Sequence, residues 1–186
     1  MSNTFWIYFV IGAGALFLLI LILVLINAIV TKRKTNKMFN DILNILNALK
    51  NKNKNIKIEK ISHFKNDNLP YDFYIETEKY NYYIKVIPNY NDYEITINNS
   101  IKWQIRRSYT DESLNFVPGV EEFIRYDFAK ENKENRKVFI IYPSSKSLLK
   151  YVNECEMEFV TPDTDIYGTK VYTYNTLLEN NNIIEV

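Results

Sequence analysis

The chain has 186 residues, with 23 Lys and Arg against 22 Asp and Glu, a formal net charge of +1, one cysteine and one histidine. The lone Cys155 excludes an intrachain disulfide framework, and the lone His63 excludes a histidine triad or a histidine-rich zinc site. The length admits one moderate domain plus a small extra segment.

The extra segment opens the chain. Residues 5–30 read FWIYFVIGAGALFLLILILVLINAIV, and no charged side chain precedes Lys32. As a helix this run extends about 39 Å, more than the ~30 Å hydrocarbon core of a bilayer. Lipid offers no partner to a free amide, so such a run must be helical. A cleaved signal peptide fits badly, because MSNT supplies no cationic n-region and the apolar run is too long. The sequence therefore predicts residues 1–4 as a short extracytoplasmic end and 5–30 as an uncleaved transmembrane helix. Lys32, Arg33, Lys34 and Lys37 follow at once. The positive-inside rule then places everything after Val30 in the cytoplasm, on the inner side of the cell membrane. Over anionic headgroups each suitably placed cation gains on the order of 1 kcal/mol.

The near-neutral total hides a split. Residues 31–60 hold nine Lys and Arg against Asp41 and Glu59, and residues 61–186 hold 14 against 20 acids, so the nets are +7 and −6. An acidic distal domain is a poor binder of phosphate backbones, which argues against nucleic acid as its partner. The lipid bilayer with its anionic headgroups and a protein of unknown identity are the expected partners. The abundance of Asn, Lys, Ile and Tyr matches an AT-rich coding sequence, and a bacterial source is expected.

Residues 31–55 form a basic juxtamembrane segment. Phe39, Ile42, Leu46 and Leu49 recur at spacings of three, four and three, and Met38, Leu43 and Ile45 widen the stripe, so an amphipathic helix is predicted there. Two heptads do not demand a coiled coil, so the stripe is expected to pack on the protein's own sheet. A weak homo-oligomer through this helix and the span is the alternative. NKNKN at 51–55 is a polar break.

Residues 56–180 are predicted to form a cytoplasmic domain, and 181–186 a frayed tail. Strands are expected at 72–77, 80–88, 92–98 and 101–107, where Tyr, Ile, Val and Thr alternate with polar residues. A helix is expected over 119–131, a strand buried on both faces at 137–143, and a helix over 145–154 capped by Ser144. Short strands follow at 158–160 and 170–174. The order helix, three strands, helix, strand, helix predicts a small α/β domain, a mixed sheet flanked by helices.

One stretch carries candidate chemistry. A two-residue turn at Glu78-Lys79 sets Phe73 opposite Ile84, Tyr74 opposite Tyr83 and Asp72 opposite Lys85. With these two residues, the element order over residues 36 to about 160 resembles the restriction-endonuclease-like, or PD-(D/E)XK, fold. In that family an Asp at the start of the second core strand and an acid-x-Lys on the next hold a divalent metal and activate water. The resemblance implies Asp72 and Lys85 as site residues, Glu76 or Glu94 as a displaced ligand, Asp41 as the only acid in the first helix, and Mg or Mn as cofactor. Tyr83 stands where the family has its second acid. A hard cation needs several oxygen ligands, so a degenerate site is expected, without cofactor or catalysis. Asp72 and Lys85 then form a partly solvated cross-strand pair worth ~0.2–1 kcal/mol.

Trp103, Arg106 and Arg107 form a candidate patch for an acidic partner, although a strand Trp more often anchors a core. His63 reads as a surface or capping residue and Cys155 as a bystander. The sequence as a whole predicts a membrane-anchored, non-catalytic interaction domain, with a membrane-anchored nuclease and a structural homo-oligomer as alternatives. A fluorescent protein fused after Val186 is expected to light up inside the cell. A phosphatase fused there is expected to stay silent, and phosphatase activity outside the cell would reverse the orientation.

Overall fold

Residues 3–52, 55–61, 69–107, 115–128, 133–153 and 156–179 are described by a computed structural model. His63, Cys155 and the tail 181–186 lie outside the described residues. The chain divides into two units, residues 1–40 and 41–186.

The first unit is the body of α1 (Asn3–Lys52), a helix long and apolar enough to cross a membrane. Its large side chains from Tyr8 to Val30 are exposed, including Phe17, Leu19 and Leu25. Such a surface is unfavourable in water and natural in lipid. Lys32, Arg33, Lys34 and Lys37 are exposed on the same helix, just past the apolar run. No Pro or Gly lies between Asn27 and Lys50, so nothing in the backbone interrupts the helix before Lys52. The juxtamembrane helix is thus the continuation of the apolar one.

The second unit is a mixed-sheet α/β domain. Its described strands are β1 (Lys57–Lys60), β2 (Phe73–Glu76), β3 (Tyr80–Asn89), β4 (Glu94–Ile97), β5 (Trp103–Arg106), β6 (Asn115–Phe116), β7 (Glu134–Pro143), β8 (Leu148–Asn153), β9 (Glu156–Phe159) and β10 (Thr169–Thr173). Two short helices, α2 (Val120–Arg125) and α3 (Tyr174–Glu179), complete it. The strands form two five-stranded sheets rather than one. The first has the order β1-β2-β3-β7-β10 and the second β6-β5-β4-β8-β9.

The two sheets share one pair of chain segments. β3 and β7 run parallel in continuous register from Tyr80 opposite Glu134 to Asn89 opposite Pro143. Both segments then turn, and the same two chains pair again in parallel as β4 and β8, with Ile95 opposite Leu148. Asn89 holds the turn. Its buried side-chain amide donates to the Tyr93 and Ser144 carbonyls at 2.8 and 2.9 Å, and its oxygen accepts the Tyr93 N–H at 3.0 Å. Asp92 takes a left-handed φ of 53°, a conformation that Asp tolerates better than most residues. Its carboxylate accepts the Ser144 hydroxyl at 2.6 Å.

This corner explains the main departures from the sequence expectation. The strands at 92–98 and 101–107 exist as β4 and β5, but the corner carries them into a second sheet. The helix expected over 145–154 is strand β8 instead, because β4 offers it a parallel partner and its Leu, Tyr and Val side chains suit a sheet. Ser144 therefore caps no helix. The helix expected over 119–131 stops after six residues, with Tyr126 extended at ψ 126°. β1, β6 and α3 have no counterpart in the sequence reading. The 73–84 hairpin register is as expected, from Phe73 opposite Ile84 to Glu76 opposite Asn81.

The main core lies between the sheets. Tyr83, Ile87, Phe139 and Ile141 of the first sheet meet Ile95, Ile97, Trp103 and Leu148 of the second, with Val120 and Phe123 of α2. The opposite face of the first sheet carries Phe73, Ile75, Ile84, Val138 and Ile140, all buried. Ile42, Ile45, Leu46 and Leu49 of α1 are buried within the same unit, and Tyr142 on that face donates a 2.5 Å hydrogen bond to Asp41. Burial of the Tyr142 hydroxyl, and then its bond to the Asp41 carboxylate, push its pKa well upward. The apolar stripe therefore serves the chain's own domain.

Replacing Asn89 with Ala orphans buried backbone groups at the corner. The expected loss is about 2–4 kcal/mol of stability. Asn91→Ala, at an exposed position on the same turn, is expected to cost no more than about 0.5 kcal/mol. Thermal unfolding of the detergent-solubilised chain, followed by near-ultraviolet circular dichroism, compares the two.

Candidate functional site

The hairpin β2–β3 brings Asp72 and Lys85 together, with the ammonium 3.8 Å from Asp72 Oδ2. The same oxygen accepts the Val86 N–H at 2.7 Å, while the Asp72 N–H donates to the Ile84 carbonyl at 2.8 Å. Asp72 thus extends the β2–β3 ladder by one rung, using its side chain where a backbone carbonyl would stand. It is only 5% exposed, while the Lys85 side chain keeps 20% of its surface exposed, so the pair is solvated at its cationic end alone. Ladder continuation requires its backbone to stay against β3, and that draws the carboxylate into the sheet.

Lys85 reaches across the sheet to the start of α2. Gly119, with φ 76°, begins that helix, and a Cβ there would stand 3.2 Å from Lys85 Cε. A larger residue would be both strained and crowded. Tyr83, in the position of the missing acid, is buried and stacks on Phe128 with ring centroids 3.7 Å apart. Tyr71 and Tyr74 close on the same ring at 5.1 and 5.3 Å. The end of α2 is shaped to allow this. Lys137 donates to the Ile124 and Tyr126 carbonyls at 2.5 and 3.2 Å, capping the short helix and freeing Phe128 to swing onto Tyr83. Burial pushes the Lys137 ammonium pKa down, and the nearby Asp127 opposes that shift.

The other carboxylates of the nuclease-like reading go to separate partners. Glu76 pairs with Lys133 at 2.7 Å, and that hydrogen bond and charge lower its pKa. Glu94 lies opposite Arg106 in the second sheet. Asp41 bonds to Tyr142, whose side chain projects from the opposite face of the first sheet to that of Lys85. Among the described residues no three His, Cys, Asp or Glu side chains gather closely enough to hold a metal ion. Beside the Tyr83 stack lies an open cleft of about 450 Å³, lined by Lys57, Glu59, Tyr71, Tyr74 and Glu76. Burial, then Tyr126 and Glu59, raises the Tyr71 pKa.

The patch of Trp103, Arg106 and Arg107 is divided by the fold. Trp103 is 0% exposed, packed on Phe139 with centroids 4.4 Å apart, and its buried indole N–H has no hydrogen-bond partner among the described residues. Arg106 and Arg107 line a separate pocket with Asp92, Tyr93 and Lys146. Strand alternation requires this division, because Trp103 faces inward and Arg106, three residues later, faces outward.

A different surface was missed from the sequence. On the outer face of the second sheet, register aligns Phe116, Gln104, Thr96, Leu149 and Phe159 across all five strands, with Tyr151 opposite Met157 beside them. Phe159 is 73% exposed, Met157 53%, and Phe116 and Tyr151 are also exposed. The alternation Glu156, Met157, Glu158, Phe159 was the available signal, in a stretch that reads at first as merely polar. Comparison of the chain with protein-family models, with curated proteins and with solved structures returned no match.

Asp72→Ala leaves the buried Val86 N–H without its acceptor and is expected to cost about 1–3 kcal/mol. Asp72→Asn keeps an acceptor and should cost less, and Lys85→Met no more than about 1 kcal/mol. Manganese should leave the melting temperature of the wild type unchanged, because a ligand that binds the native state must raise it. A manganese-dependent rise lost in Asp72→Asn, together with plasmid cleavage, would establish the nuclease reading instead.

Proposed function

We propose that the chain is a single-pass membrane protein whose α/β domain is a non-catalytic binding module on the cytoplasmic side. The apolar exposed helix followed directly by Lys32, Arg33, Lys34 and Lys37 supports the anchor and its orientation. The observation that carries the binding role is the outer face of the second sheet. Tyr151, Met157 and Phe159 are exposed together where β8 and β9 end the sheet, with Phe116 exposed at its other edge and the buried Gln104 and Thr96 between them. Large exposed apolar side chains grouped as on β8 and β9 mark interaction sites.

The opening hairpin supports a structural role for Asp72 and Lys85. The carboxylate is engaged by Val86 and the acid position is filled by a stacked tyrosine. The burial of Ile42, Leu46 and Leu49 within the chain supports a domain-packing role for the juxtamembrane stripe over a dimer seam.

A photo-crosslinking amino acid at Phe116 or at Tyr151 in the full chain, activated in intact membranes, is expected to give a discrete protein adduct. The same group at Glu122, exposed on α2, is expected to give none. Absence of adducts at both outer-face positions, or equal adducts at Glu122, would overturn the binding-module reading.

A further inference from the structure

The four strands that end the two sheets differ in how they are protected. β1 carries Lys57 and Lys60, β6 is two residues long, and β10 carries Lys170 and is largely buried. Lysines, brevity and cover are the usual ways of blunting a sheet edge. β9, four residues long, has neither lysine nor cover, and its only charges are Glu156 and Glu158. Among the described strands it pairs only with β8, all four of its residues are exposed, and it contains no Lys, Arg or Pro. The bulge in the β8–β9 ladder adds its extra residue to β8, between Tyr151 and Asn153, so β9 itself stays regular.

Hydrogen-bond phase identifies the free groups. The Val160 N–H donates to the Leu148 carbonyl at 2.9 Å. In an antiparallel ladder the bonded pairs alternate, so Lys150 opposite Glu158 is bonded and Leu149 opposite Phe159 and Tyr151 opposite Met157 are not. The N–H and C=O of Met157 and Phe159 therefore point away from β8, open to another strand. Their side chains are the exposed ones on the outer face. Glu156 and Glu158 stand on the other face, where Glu156 accepts from Asn153 at 3.0 Å and Glu158 pairs with Lys150 of β8 at 3.2 Å, in a stretch, residues 151–169, with five acids and no Lys or Arg.

Building on the binding-module reading, we propose that β9 is a docking edge for an extended segment of a partner protein. The segment adds as a sixth strand beside Met157 and Phe159 and alternates apolar with cationic side chains. Main-chain bonds to the two outward residues supply affinity, as in other strand additions. Apolar side chains of the guest lie beside Met157 and Phe159, and its cations lie beside Glu156 and Glu158. The charge of this edge selects a basic guest and disfavours a second β9, whose glutamates would face these.

The probe is a fluorescein-labelled eight-residue peptide alternating lysine and valine. It is added to the full chain in nanodiscs of neutral phosphatidylcholine and read by fluorescence anisotropy. Saturable binding is expected, weakened on the order of tenfold or more when glutamate replaces lysine, or when alternate peptide amides are N-methylated. The N-methylated peptide keeps its charge, so equal binding would reduce the effect to electrostatics and overturn the proposal. Met157→Pro removes an outward N–H without touching the β8 ladder and is expected to abolish binding with the near-ultraviolet spectrum intact. Glu156→Lys is expected to weaken binding comparably. Binding unchanged in both variants, or no saturable binding to the wild type, would overturn the proposal. Self-association of the wild type that Met157→Pro abolishes would assign the edge to a second copy and overturn it likewise. Adducts at Phe116 or Tyr151 alongside a silent peptide would refute the edge while leaving the binding module standing.

Discussion

The parallel pairing of β3 with β7 is the constraint on which the domain depends. It is ten residues long on each strand; β2 and β10 pair with it directly and β1 through β2, while the same two segments continue as β4 and β8, the centre of the second sheet. Because both strands turn at the same level and pair again as β4 and β8, one pair of chains builds both sheets. Asn89 makes that turn possible by satisfying backbone groups that a buried corner would otherwise leave open. Between the two halves of the bent pair, Trp103, Phe123 and Phe139 fill the space where the sheets diverge.

The same bend decides what the opening hairpin becomes. With the second sheet and α2 laid against it, the face that bears Tyr83 and Lys85 is core rather than open groove. Tyr83 gains a stacking partner in Phe128, and Lys85 lies against Gly119 at the start of α2. A carboxylate in such surroundings needs hydrogen-bond donors, and Asp72 finds one in Val86. Asp72 and Lys85, the residues to which the nuclease-like resemblance draws attention, take part here in ladder and packing contacts.

The surface tells the complementary story. The first sheet is lined on one face by the inter-sheet core and buries its apolar residues on the other. The second sheet buries Thr96 and Gln104 at the middle of its outer face but leaves Tyr151, Met157 and Phe159 exposed at the β8–β9 end, the surface proposed above for a partner. Under the proposed reading a membrane anchor suits such a module, since confinement to a surface raises the effective concentration of any partner held on the same membrane.

The sequence by itself determined the features that rest on local pattern. A long uncharged apolar run specifies an exposed apolar helix because no other backbone arrangement satisfies its amides in lipid. The cationic cluster and the amphipathic stripe are equally local, and the hairpin register followed from alternation and a two-residue turn. What only the tertiary structure decided was which residues meet across long separations. The corner at Asn89 joins Tyr93 to Ser144, and the helix-like stretch 145–154 became β8 because β4 lay beside it as a parallel partner. Whether Tyr83 replaces an acid or fills a core depended on Phe128, 45 residues away, and Trp103 was withdrawn from its arginines by which sheet face looked inward. Periodicity fixes which side chains share a face, but only packing against distant segments decides whether that face meets protein, water or a partner.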